Sequence, residues 1–351
     1  MQWLEFPLTY GDSMSSKSDS STVPLTDDDR TPPSIGFPPS SNLWVPSSVP
    51  PRSDGPWWWR LGGILVTMRP HQWVKNVFVL APVVFAKEIF YPPLLLRAAT
   101  AFFGFCLLAG AVYAMNDIAD IAADREHPVK RFRPIPAGRV PLAWAKALAI
   151  GLVAIALAGA FALSFRFGLV AVSYYGLNVT YSLKLKHVAY IDVVCIAAFF
   201  VMRVIGGAFA TDIEMSWYLL ACTALLALFL GFGKRRHEIS ASKAGKQRAV
   251  LESYDRRGLD VSLALTAIAT AAAYLAYTLD SRTKAFFRTD WLWPSTVFVV
   301  LGMWRFLYLV RARPKTESPT QEMLRDGPFV AIMLGWVGLV MWIVYQLQPA
   351  M

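Results

Sequence analysis

From residue 72 to residue 346 the chain alternates apolar runs of 16 to 22 residues with short charged connections, and this alternation decides its class of fold. Wound as a helix, a run of that length matches the hydrocarbon thickness of a bilayer, where a backbone without water must satisfy its own hydrogen bonds. The sequence therefore predicts an all-α protein, a polytopic transmembrane helical bundle of about nine spans. The spans fall near 72–90, 97–115, 143–164, 167–182, 191–210, 217–233, 261–279, 291–310 and 329–346. The first has the shortest usable apolar core, because Lys75 and Asn76 lie near its start and Lys87 and Glu88 near its end. A hydrophobic content of 55% and a mean hydropathy of +0.41 agree with this class.

Residues 1–55 are rich in Ser, Pro and Asp and bury too little apolar surface to offset the entropy of ordering. A disordered N-terminal tail is expected there, with the transmembrane domain over 56–351; Met14 and Met68 are further candidate starts. No basic stretch followed by a short apolar one opens the chain, so a cleaved signal peptide is not expected. Trp57, Trp58, Trp59 and Arg60 suit an aromatic belt at a membrane interface.

A formal charge of +10 would suit a nucleic acid, but the basic residues sit in short connections between apolar runs. That is the pattern of cytoplasmic membrane loops, and no nucleic-acid partner is expected. The bias places the N-terminus and the connections at 125–139, 184–186, 234–257 and 311–325 in the cytoplasm, with the C-terminus outside. Four spans separate the two long charged loops, which hints at two related four-helix halves. Cys106, Cys195 and Cys222 lie within apolar segments without paired spacing and read as small buried hydrophobes.

Chemistry concentrates where the second run ends, in Asn116-Asp117-x-x-Asp120-x-x-x-Asp124. At helical spacing these four oxygen-bearing side chains share an arc of roughly 100°. Carboxylates that close repel one another, and hard oxygen ligands suit Mg²⁺, which commonly bridges to substrate phosphates. Arg125, Lys130, Arg131, Arg133 and Arg139 follow at once, where a metal-bound phosphate would need further partners. A solvated helix end with a charged loop is the plain competing account, weakened by the membrane run that leads into the motif.

Three other groups join the candidates. Arg69, Lys75 and Asn76 sit at the cytoplasmic edge of the first span, either as interfacial anchors or with Lys75 reaching a phosphate from within the bundle. Tyr181, Lys184, Lys186 and His187 form the next cytoplasmic connection, and Asp192 enters the apolar helix behind them. An acid there needs a partner or a function; Arg203, just before Gly206-Gly207, is a candidate for that partner or for a second anion contact, with a structural ion pair as the competing reading. Finally, Lys234, Arg235, Arg236 and Glu238 end the sixth span and open the largest loop, either as phosphate and metal partners or as a patch for anionic lipid.

These motifs resemble those of the UbiA superfamily of intramembrane prenyltransferases. Arg69-Pro-x-Gln-Trp-x-Lys75-Asn76, Asp124-Arg-x-His-Pro-x-Lys-Arg-Phe-Arg-Pro134, Leu185-Lys186-His187 and Gly233-Lys234-Arg235 resemble its decaprenyl-phosphate phosphoribosyltransferase branch. The likeness runs from about Met68 to the last span. Two departures stand out. Aromatic prenyltransferases of the superfamily carry a second Asp-rich motif after span six, where this chain is basic, and Arg236-His237 replaces an aromatic and a small residue usual in the branch.

The resemblance implies transfer of 5-phosphoribosyl from 5-phosphoribosyl diphosphate to a polyprenyl phosphate, with release of diphosphate. Asn116, Asp117, Asp120 and Asp124 would hold Mg²⁺, with Asp117, Asp120 and Asp124 as the catalytic set. Arg69, Lys75, Lys130, Arg131, Arg133, Lys186, Lys234 and Arg235 would meet phosphates, with Tyr181, His187, Asp192, Arg203 and Glu238 as further site candidates. The expected location is a bacterial inner (plasma) membrane, multi-pass, with the site on the cytoplasmic face, lipid around it and a homo-oligomer left open. An aromatic prenyltransferase of the quinone pathway is the runner-up, and a transporter for an anionic substrate is the reading from another class.

Overall fold

The computed structural model describes residues 55–241, 251, 253–312, 322–323 and 325–346; the tail expected over 1–55 therefore lies, apart from Gly55, outside the described residues. Long helices carry the fold: α1 Trp57–Met68, a 3-10 helix Pro70–Leu80, α2 Ala81–Phe85, α3 Pro92–Ala119, α4 Ile121–Glu126, α5 Leu142–Leu163, α6 Phe165–Leu183 and α7 Ile191–Thr211. Then come α8 Trp217–Ala241, α9 Arg256–Leu279, α10 Ser281–Phe287, α11 Ser295–Ala312 and α12 Gly327–Gln346. Six helices are long and apolar enough to cross a membrane, within α3, α5, α7, α8, α9 and α12. The chain is a multi-pass membrane protein, and no strand occurs among its described residues.

Two sub-bundles meet at α7 and α8. The first core packs Ala101, Phe105, Leu108, Phe167, Tyr174 and Phe199 from α3, α6 and α7, with Val79 of the 3-10 helix among them. The second packs Phe229, Phe232, Leu259, Leu263, Met303 and Phe306 from α8, α9 and α11, joined by Val193 of α7.

The first expected span differs most from the structure. Instead of one membrane helix over 72–90, the chain forms an 11-residue 3-10 helix that passes into the five-residue α2. A 3-10 helix repeats every three residues, so Trp73, Asn76 and Val79 line up on one face toward the bundle. Asn76 and Val79 are buried there. The closeness of this segment to α7 depends on Gly207: a Cβ added at Gly207 would sit 2.0 Å from the Val79 carbonyl oxygen. A backbone atom cannot rotate away. Gly207→Ala is therefore expected to destabilise the fold by about 1–3 kcal/mol, read as a lower melting temperature of the detergent-purified protein than that of a Gly151→Ala control, where the added Cβ meets nothing.

The helix α1 begins at the tryptophans assigned to an interface belt, and its backbone carbonyl at Trp59 accepts a 2.8 Å hydrogen bond from Arg139 Nε. A further difference has a local cause. The sixth span does not end at 233, because α8 continues through Ala241; Glu238 pairs with Lys234 at i,i+4 and Arg235 at i,i+3, which supports the added turns.

At the end away from the acidic motif, Arg97 of α3 donates from Nε to the Ala210 carbonyl of α7 at 2.7 Å and from Nη2 to the Leu163 carbonyl of α5 at 3.3 Å. One guanidinium thus satisfies carbonyls at two helix C-termini, where positive charge is favoured. Contacts at that end also join the beginning and end of the chain. Tyr345 Oη donates to the Val84 carbonyl at 3.1 Å, its ring meets Phe90 at 5.5 Å, and Lys87 Nζ reaches the Phe286 carbonyl at 3.3 Å.

Candidate functional site

The acidic motif sits where α3 ends. The helix breaks at Asp120, with φ −95° and ψ 8°, and resumes as α4. Backbone bonds from Asp120 N to Asn116 O and from Asp124 N to Asp120 O carry the helical course across the break. The break nevertheless takes Asp120 off the arc that the helical spacing predicts for all four side chains: Asp117 and Asp124 are buried, at 1% and 2% exposure, while Asp120 faces outward.

Cations close the gap between the two buried carboxylates. Arg133 Nη1 lies 3.1 Å from Asp117 Oδ1 and 2.7 Å from Asp124 Oδ2. Arg69 Nη2 lies 2.6 Å from Asp117 Oδ1, and Lys130 Nζ lies 3.7 Å from Asp124 Oδ1. Arg69 connects α1 to the 3-10 helix with φ 52°, a left-handed conformation uncommon outside glycine, and its guanidinium stacks on Tyr113 at 4.6 Å.

The connection that supplies Lys130 and Arg133 is held by its own bonds. His127 Nδ1 accepts from the backbone N–H groups of Val129 and Lys130, and Arg125 Nε donates to the Pro136 carbonyl. Gly138 turns the chain with φ 75°, which only glycine adopts without cost. Arg131 stacks on Phe132 at 4.9 Å.

The sequence offers Asn116, Asp117, Asp120 and Asp124 as metal ligands; the structure brings Asp117 and Asp124 onto one shared cation and leaves Asp120 facing outward. Among the described residues no three acidic, His or Cys side chains form a ready-made metal cage. The donors nevertheless fit Mg²⁺: Asp117 and Asp124 are hard oxygen ligands already sharing one cation, and Mg²⁺ typically takes one or two carboxylates and completes its shell with water and phosphate oxygens.

A second group lies at the adjoining ends of α7 and α8. Asp192 is fully buried, and its partner is Arg235 of α8, whose Nε lies 2.7 Å from Asp192 Oδ2. The sequence offered Arg203 for that role, but Arg203 sits deeper in α7. Arg235 is 2% exposed and also bonds Glu238, so its guanidinium meets carboxylates rather than an open surface. Lys234 stands 4.0 Å from Glu238. Tyr254 Oη donates to Asp192 and accepts the N–H of Tyr190, which itself has φ 66°. Burial and the Asp192 carboxylate raise the Tyr254 phenol above its ordinary pKa. No local signal marks Tyr254 in the sequence beyond its place in a basic loop. Nearby, Lys186 and Tyr181 are half-buried, Tyr181 packs on Phe199, and His187 is exposed.

Within the bundle, Arg203 is 7% exposed and surrounded by neutral acceptors. Its Nε donates to Asn76 Oδ1 at 2.7 Å, Nη1 to the Phe199 carbonyl at 2.8 Å and Nη2 to Tyr174 Oη at 2.7 Å. Asn76 in turn donates to Cys106 Sγ at 3.1 Å. Lys75, next to Asn76 in the chain, is exposed.

The sequence profile of the UbiA prenyltransferase family matches residues 77–324. A decaprenyl-phosphate phosphoribosyltransferase of Mycobacterium tuberculosis (strain H37Rv) is 35% identical over 286 residues, spanning 80% of this chain and 93% of the relative. The Corynebacterium glutamicum protein of the same name is 33% identical over 289 residues, spanning 81% and 87%. Among solved structures, a UbiA homolog from Archaeoglobus fulgidus bound to DMAPP and Mg²⁺ superposes with a TM-score of 0.59 at 18% identity, covering 80% of this chain and 98% of that one. An apo UbiA homolog from Aeropyrum pernix K1 gives 0.56 at 19% identity, covering 77% and 98%. At these identities the solved structures establish the fold.

Proposed function

The chain belongs to the UbiA prenyltransferase family, and from that premise we propose that it transfers 5-phosphoribosyl from 5-phosphoribosyl diphosphate to a polyprenyl phosphate of the decaprenyl type, releasing diphosphate. The observation that carries this reading is the identity of 33–35% with the decaprenyl-phosphate phosphoribosyltransferases across most of both chains. The basic end of α8 supports it: Lys234, Arg235 and Arg236 stand where an aromatic prenyltransferase would carry a second acidic motif.

In this reading Arg69, Lys130, Arg131 and Arg133 bind the diphosphate of the donor. Swinging toward phosphate oxygens, Arg69, Lys130 and Arg133 would leave Asp117 and Asp124 to hold Mg²⁺. When bound, that ion would supply positive charge to the leaving diphosphate. The acceptor's phosphate oxygen forms the new bond to C1 as the C1 to diphosphate oxygen bond breaks, and the diphosphate keeps the electron pair. A phosphate monoester is already anionic near neutral pH, so no side chain need remove a proton, and His187 serves as a loop residue. Catalysis is then positional and electrostatic. Arg235 positions Asp192 and Glu238, while Lys186 and Lys234 remain for phosphate. The site faces the cytoplasm of a bacterial inner membrane, with the N-terminus on that side and the polyprenyl chain held sideways among the spans; residues 56–351 form the catalytic domain.

The test is transfer of radiolabelled ribose phosphate from 5-phosphoribosyl diphosphate to polyprenyl phosphate in membranes containing the protein. Labelled lipid is expected with Mg²⁺, falling to background with EDTA and returning when Mg²⁺ is restored. Absence of labelling, together with consumption of a prenyl diphosphate when an aromatic acceptor is offered, would replace this reading with aromatic prenyl transfer.

A further inference from the structure

A strained turn precedes α7, and the bond that holds it comes from 64 residues further along the chain. Ile191 N donates to the Ala189 carbonyl at 2.8 Å across Tyr190, whose φ is 66° and ψ −41°. A three-residue turn with positive φ and negative ψ is the rare form of the γ-turn, and a bulky residue at its centre is costly. Arg69, Asp212 and Arg288 also have positive φ, but with ψ of 63°, 32° and 39° they rest in the left-handed well. Strain of the kind at Tyr190 persists where neighbouring groups over-determine the conformation, and it clusters at functional sites.

Tyr254 is that neighbour. Its Oη accepts the Tyr190 N–H at 2.7 Å and donates to Asp192 Oδ1, and the two tyrosine rings meet at 4.9 Å. Tyr254 has little freedom to give way. It is 6% exposed, its N–H donates to the Leu251 carbonyl at 3.3 Å, and Asp255, next in the chain, caps α9 by accepting from Gly258 N at 2.9 Å. On the far side of the turn, backbone bonds carry the grip onward: Asp192 N donates to the Val188 carbonyl and Val188 N to the Leu185 carbonyl, each at 3.1 Å. These bonds run from the start of α7 to the 3-10 turn Leu185–His187, which bears Lys186. Asp192 is at the same time the partner of Arg235. One hydroxyl therefore ties the Lys186 connection to the end of α8.

We propose that Tyr254 is a positioning residue for the transfer reaction: its hydroxyl holds the strained turn at Tyr190, and through that turn sets Lys186 where a substrate phosphate meets it. This deepens the transfer reading above and rests on it. Tyr254 itself touches no substrate. Without the hydroxyl, Tyr190 relaxes toward negative φ, and Lys186, four residues earlier, swings with the backbone. A hydroxyl that only secured the fold would lower the melting temperature and leave transfer per folded molecule unchanged.

The experiment measures kcat and KM for transfer of radiolabelled ribose phosphate, with melting temperatures, on the full chain in detergent. Wild type is compared with Tyr254→Phe, Lys186→Gln and the double variant. Tyr254→Phe keeps the ring contact and leaves Arg235 on Asp192; it is expected to lower kcat/KM about tenfold, mainly through the KM of one substrate, as for loss of a charge-assisted hydrogen bond. Lys186→Gln retains a donor, so transfer stays measurable. In its background Tyr254→Phe should cost less than about twofold, because the lysine through which the hydroxyl acts is gone. The substrate whose KM rises is the one that Lys186 meets.

A second pair of variants reads the turn itself and decides the matter should Tyr254→Phe fail to fold. Glycine takes a positive φ freely and alanine does not, so Tyr190→Gly is expected to transfer about fivefold faster than Tyr190→Ala. Wild-type transfer by Tyr254→Phe, an equal loss in both backgrounds, or equal transfer by the two Tyr190 variants would overturn the positioning role and leave the transfer reading standing. If wild type moves no ribose phosphate to polyprenyl phosphate, the transfer reading itself falls, and the role of Tyr254 with it.

Discussion

Asp117→Asn is expected to lower ribose phosphate transfer by about a hundredfold or more while the protein remains folded. The carboxylate is buried, its Oδ1 is shared by Arg69 and Arg133, and in the proposed mechanism it also holds the metal on the leaving group. An amide of the same shape offers one neutral oxygen to two guanidinium groups and a poor ligand to Mg²⁺. The structural cost is smaller than the catalytic one: Arg133 keeps Asp124, Arg69 keeps its stacking on Tyr113, and both side chains are a quarter or more exposed, so water screens much of the lost attraction. Transfer of radiolabel and the melting temperature, measured on one preparation, separate the two effects. Near-normal transfer by a folded Asp117→Asn variant would remove the acidic motif from the chemistry.

Arg235→Leu is expected to cost about 3–5 kcal/mol of stability, the range for breaking a buried ion pair from one side. It would leave Asp192, fully buried and bonded to Tyr254, without its cation, at the start of a membrane helix. The yield of monodisperse protein should drop sharply. Replacing Asp192 by Leu in the same chain should restore most of it, because exchanging both members of a buried pair for apolar residues is often neutral or favourable. A folded single variant with weakened phosphate affinity would instead make Arg235 a direct phosphate contact, as its place in the sequence motif suggests.

The contrast between these residues shows what the sequence could and could not convey. Apolar runs set by bilayer thickness made the all-helical membrane fold legible, and helical spacing made Asp117 and Asp124 legible as members of one motif, with Arg133 in the basic run beyond it; the same spacing also put Asp120 on that face, where the helix break removes it. Partnerships across helices were not. Nothing local indicates that Asp192 takes Arg235 rather than Arg203, since the choice depends on how far each guanidinium lies along its helix. Nor does hydropathy distinguish a 3-10 segment from an α-helix over 70–80: that winding depends on Asn76 finding Arg203 and on Gly207 admitting a backbone carbonyl. Tyr254 was hidden for the same reason, because its hydroxyl matters through Asp192, remote in sequence.

The contacts joining Val84 and Lys87 to Tyr345 and Phe286 bear on how the protein is made. The first partner leaves the ribosome 261 residues before the last, an interval on the order of ten to fifty seconds at ordinary synthesis rates. During that time the segment bearing Arg69 and Lys75 sits in the membrane without its final brace. The acidic motif can be inserted and helical well before it can be occupied, and a nascent chain that stalls short of its last helix would carry every charged residue of the site yet lack the brace on the segment that holds two of them.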